Sequence, residues 1–71
     1  MDIYEILDKY KTPVLIKVAE ELNDPKGIIP LESVTREIAG KIFDKEPADT
    51  RLVECIAIGV PLSKVLAQRL Q

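Results

Sequence analysis

Nucleophilic and acid–base catalysis depend on a side chain that ionises near neutral pH, most often His, and this 71-residue chain has no His. Its single thiol, Cys55, falls between Glu54 and Ile56 in an apolar run. No cation or helix start is placed there to activate it, so it reads as a small buried hydrophobe. Ser33 and Ser63 sit inside helix-patterned segments with no glycine elbow around either. One Cys without a His is a poor zinc set. The acids are dispersed among basic residues, and their only cluster, Glu20-Glu21 ahead of Asn23-Asp24, lacks the ligand spacing of a calcium loop. Gly27, Gly40 and Gly59 stand too far apart to cradle a phosphate. The sequence therefore predicts a non-enzyme: no catalytic residues, no metal, no organic cofactor and no small-molecule substrate.

The scaffold that would carry any other function is small. Seventy-one residues make one domain, residues 1–71, with much surface per unit volume. A lone Cys rules out an internal disulfide, so stability must come from aliphatic packing or from a partner. Ile, Leu and Val supply 23 of the residues, against three aromatics, Tyr4, Tyr10 and Phe43. The net charge is −2, which is no lure for nucleic acid or acidic lipid. No apolar run approaches a membrane span, and the start, Met1-Asp2-Ile3-Tyr4-Glu5, has no basic leader region. A cytoplasmic protein is the expectation. Abundant charges with only three Asn and Gln residues match the balance favoured in thermophile proteins.

Prolines punctuate the helical pattern. Ile3, Ile6, Leu7 and Tyr10 form one stripe over Asp2 to about Lys11. Thr12-Pro13 opens a second helix carrying Val14, Leu15, Val18, Ala19 and Leu22, with a break or sharp kink at Lys11–Pro13. Asn23-Asp24-Pro25-Lys26-Gly27 is a turn, and Ile28-Ile29 plugs the core. A third helix is predicted from about Pro30 to Asp44 on Leu31, Val34, Ile38 and Ile42, with Glu32–Arg36 and Glu37–Lys41 as surface pairs. Gly40, beside Ala39, marks close helix–helix approach. Pro47 opens the fourth helix, with Leu52, Val53, Ile56, Ala57 and Val60 facing inward. Gly59 ends it in a left-handed conformation, and Pro61 starts the last helix, with Leu62, Val65, Leu66 and Leu70 inward. The predicted fold is all-α, a compact bundle of four to five short helices. Its predicted core is Ile6, Leu7, Tyr10, Val18, Leu22, Leu31, Val34, Ile38, Ile42, Leu52, Ile56, Val65 and Leu66.

Residues 51–70 have Gly59 at a turn, a small residue four before it (Cys55), and apolar residues one and six after it (Val60, Val65). This segment resembles the helix-turn-helix of repressor-type DNA-binding domains. Glu54 and Gln68 stand where that family prefers apolar residues. The resemblance implies two short helices crossing closely, with Arg51, Ser63, Lys64, Gln68 and Arg69 placed to reach DNA.

Two readings follow. The first is a protein-interaction module (adaptor, regulator or inhibitor) that binds a protein partner or a second copy of itself through an apolar helix face. Consecutive apolar residues at Val14-Leu15-Ile16 and Ile56-Ala57-Ile58 cannot all face one core. Leu15, Ile16 and Ile58 are accordingly predicted on the interface. The alternative is a DNA-binding regulator acting through residues 51–70.

Overall fold

Each helix start has a local cause. Asp2 Oδ1 accepts from the Tyr4 N–H at 3.2 Å, capping α1 (Ile3–Asp8). Lys11 is extended, and α2 (Thr12–Leu22) begins with Pro13 in its first turn, where the missing N–H costs nothing. The chain is thus broken, not merely kinked, between the first two helices. Ser33 Oγ accepts from the Arg36 N–H at 3.2 Å and caps α3 (Val34–Phe43). A 3-10 turn at Pro47–Asp49 leads to α4 (Leu52–Ala57) and α5 (Gly59–Arg69). The structure, a computed structural model, describes residues 2–23 and 29–71.

All regular structure among the described residues is helical. The Cα radius of gyration is 11.2 Å, close to the ~11 Å expected of a compact chain of this length. One dimension is only 17 Å, about two helix diameters or less. Helix α5 packs on α1 and α2, and α3 packs on α1, α2, α4 and the 3-10 turn. Between them lie Ile6, Leu7, Leu15, Val18, Ile29, Ile38, Ala39, Cys55, Ile58, Leu62 and Val65, all buried. Tyr10, Leu22, Val34, Ile42 and Leu66 pack against this cluster from its edge. No helix among the described residues is long and apolar enough to cross a membrane.

Several sequence expectations need correction. The third helix starts at Val34, four residues after Pro30, because the Ser33 N–H closes a turn onto the Pro30 carbonyl and Ser33 then serves as the cap. Leu31 is consequently outside the helix and exposed. Pro47 opens the 3-10 turn, not α4. Of the predicted turn, Asp24–Gly27 lies outside the described residues, as does Ile28; Ile29 is buried as expected. Glu37 and Lys41 approach to 3.9 Å, but Arg36 is half-buried. Its guanidinium instead donates to the Ile29 carbonyl at 3.1 Å and to the carbonyl and hydroxyl of Thr50, tying both ends of the connectors to α3.

Gly40 does mark a close approach, though not between helices. The left-handed residue is Asp44 (φ 57°), which turns the chain so that the Lys45 N–H donates to the Gly40 carbonyl at 2.8 Å. The backbone of Lys45–Pro47 then passes directly over Gly40.

Candidate protein-interaction face

Glu54 settles which side of α4 points inward. Its Oε1 accepts from the Arg51 N–H at 2.8 Å, capping the helix it belongs to, and its Oε2 meets Lys45 Nζ at 2.8 Å. Glu54 is itself only 9% exposed, so it lies on the inner face. Cys55 and Ile58 then follow inward, Cys55 with its Sγ 3.9 Å from Thr50 Oγ1. The Lys45 ammonium and the Arg51 N–H hold the Glu54 carboxyl below its usual range, against the opposing effect of burial. A carboxylate with a depressed pKa in the fold stabilises it above the unfolded value of 4.5 and stops doing so as pH falls through the folded value. Thermal unfolding followed by circular dichroism is expected to show a midpoint that drops below about pH 4.5. Glu54→Gln should flatten that drop and lower the midpoint at neutral pH.

The inward phase set by Glu54 continues into α5 without interruption. Ile58, between the two helices, is itself right-handed helical (φ −69°, ψ −24°). Gly59 is the first residue of α5 and has no positive φ, so the expected left-handed stop is absent. The Leu62 N–H still reaches the Ile58 carbonyl at 2.9 Å. Pro61 lies in the first turn of α5, where its missing N–H costs little. Helices α4 and α5 are therefore two helices joined through the single turn residue Ile58, whose own N–H reaches the Cys55 carbonyl at 3.1 Å.

Nine of the residues from Leu52 to Arg69 are exposed. At 100° per residue these nine fall within an arc of about 160°. The other nine fill the opposite side, so the exposed residues of α4 and α5 share one side. Its first half is Leu52, Val53, Ile56, Ala57 and Val60; the four large side chains are 41%, 60%, 58% and 68% exposed. Its second half is Ser63, Lys64, Ala67 and Gln68, so a single charge sits on the whole face.

This reverses part of the sequence reading. Leu52 and Ile56, expected in the core, lie on the surface, as do Val53, Ala57 and Val60, expected inward. Ile58, expected on the interface, is 0% exposed, and so is Leu15. The Leu15–Val18–Leu22 spacing turns α2 inward at Leu15 and leaves its neighbour Ile16 partly outside. Leu70, expected inward, is exposed at the end of α5. Ile16 and the buried Ile58 do not form a common patch.

The residues expected to reach DNA also divide. Arg51, Ser63, Lys64 and Gln68 are exposed, though Ser63 Oγ bonds back to the Gly59 carbonyl at 2.9 Å. Arg69 turns away from that face. Its guanidinium donates to the Tyr10 carbonyl at 2.7 Å and the Asp8 carbonyl at 3.2 Å, with the Asp8 carboxylate 3.7 Å away. A cation there satisfies carbonyls at the end of α1, whose last turn has no basic residue of its own. Sequence periodicity could not have revealed this, because the bonded groups are about 60 residues apart.

Among the described residues no three Cys, Asp or Glu side chains converge on a point where a metal could sit. Grooves along the α2–α3 seam and beside Leu31 are shallow and carry several Glu residues. The α4–α5 face carries four of the nine large hydrophobic side chains exposed among the described residues. Compared with known proteins, the chain matches no family model, no curated protein and no solved structure.

Proposed function

We propose that this chain is a small non-enzymatic interaction module, and that it binds protein through the outer face of α4–α5. One observation carries the reading: four large aliphatic side chains, Leu52, Val53, Ile56 and Val60, stand together in water on one helix face. Scattered apolar residues on a surface are ordinary, but a contiguous, nearly uncharged stripe is the usual mark of a contact surface. Fully burying one such side chain is worth about 1.5–3 kcal/mol, so completing the burial of four that are about half exposed contributes roughly 3–6 kcal/mol before association costs. The stripe follows helical spacing, which suits a second helix laid along it.

The DNA-binding reading has less support. Phosphate neutralisation supplies most of such affinity, and the face offers Lys64 with Arg51 at its edge. Arg69, the other basic residue of α5, is engaged by the Tyr10 and Asp8 carbonyls.

Site-specific photo-crosslinking in cells tests the proposal. A photoreactive residue at Val60 is expected to form a covalent adduct with a protein chain. The same residue at Glu20, exposed on α2, should not. Equal or absent protein adducts at the two positions would refute the reading.

A further inference from the structure

We propose that the partner covering the α4–α5 face is a second copy of this chain, paired about a two-fold axis through the Ile56–Val60 turn; this rests on the interaction reading above. Charge is the first argument. Residues 52–71 carry Lys64 and Arg69 against Glu54, a net of +1, and Arg69 and Glu54 are both held by intramolecular partners. Residues 1–51 carry eight basic against eleven acidic residues, a net of −3. Pairing through α4–α5 therefore keeps the acidic parts of two copies apart. The face itself has no charge between Leu52 and Ser63 to recognise a basic or acidic partner. What it complements is another apolar, nearly uncharged helix face, and the chain carries one.

Symmetry adds to this. An isologous contact brings each residue near the axis against itself or a close neighbour, so a self-pairing surface must avoid like charges at its centre. With the axis through Ile56–Val60, aliphatic groups meet at the centre. The two Lys64 residues lie at least a helical turn away on opposite sides. The antiparallel helices then also oppose their dipoles favourably.

Sedimentation of the purified chain from micromolar to near-millimolar concentration tests this. The wild type is expected to pass from 7.9 kDa towards twice that mass. Ile56→Ser, an exposed change that leaves the core intact, should raise the dissociation constant about tenfold or more, since a two-fold contact loses both copies of the side chain. Ile56→Glu with Val60→Glu should stay monomeric throughout, with helical circular dichroism retained. A wild type that remains at 7.9 kDa, or a double variant that still dimerises, overturns the pairing. A monomeric wild type whose Val60 crosslinker captures a different chain overturns self-pairing and leaves the interaction reading standing. A monomer with no protein adduct removes both.

Discussion

Ile58→Ala is expected to destabilise the fold by about 2–5 kcal/mol, whereas Ile56→Ala should change stability by no more than about 0.5 kcal/mol. The two residues are two positions apart, chemically identical and equally apolar in sequence. Ile58 is 0% exposed in the central cluster, and its removal leaves a cavity lined by side chains of several helices. Ile56 projects into water, and Ala there gains a few tenths of a kcal/mol in helix propensity. A domain this small sits near the lower end of about 5–15 kcal/mol of total stability, so Ile58→Ala threatens folding at moderate temperature. Urea unfolding of both variants, at a concentration low enough to keep them monomeric, checks the contrast. Comparable losses at the two positions would show that both pack inside.

The second large effect has a sign opposite to the one helix propensity gives. Gly40 lies within α3, where Ala should be better by about 1 kcal/mol. A Cβ built at Gly40 would lie 2.6 Å from the Lys45 carbonyl oxygen and 3.4 Å from the Pro47 nitrogen, both backbone atoms. That backbone cannot easily retreat, because Asp44 has already turned it back and the Lys45 N–H is bonded to Gly40 itself. Gly40→Ala should therefore cost about 1–3 kcal/mol, the usual penalty for overpacking. Gly59→Ala supplies the control. Its Cβ would meet only the Leu22 side chain, at an ordinary 3.9 Å, so the change should gain up to about 1 kcal/mol. Thermal melts of the two variants measure both signs. A stabilised Gly40→Ala would mean that the Lys45–Pro47 backbone does not pass over α3.

These contrasts show where periodicity suffices and where it does not. In α3 only one side is apolar, so Val34, Ile38 and Ile42 announce both the helix and its inner face. Around α4 the sequence Leu52-Val53-Glu54-Cys55-Ile56-Ala57-Ile58 is apolar on both sides, and counting aliphatic residues cannot choose between them. The choice is visible in Glu54, which is buried while it caps α4 and pairs with Lys45, and in Leu62 and Val65, which continue the buried phase of Ile58 into α5. The same ambiguity hid the candidate face: its residues resembled core because they are core-like in type. Pro61 reads as a helix start, and α5 does begin there to within two residues, at Gly59. Arg36 and Arg69 were illegible for another reason. Each is bonded to backbone carbonyls, which every residue possesses and no sequence pattern marks.

Everything proposed for this chain depends on which side of α4–α5 meets water. Thiol alkylation in dilute solution measures that directly, with Cys55→Ser as background and a single cysteine placed by Ile56→Cys or by Ile58→Cys. The thiol at position 56 is expected to react at the rate of a free cysteine. At position 58 it should react about tenfold more slowly or less, limited by opening of the fold. Equal rates, or a faster reaction at 58, would put the aliphatic stripe inside the protein and leave the interaction face without its residues.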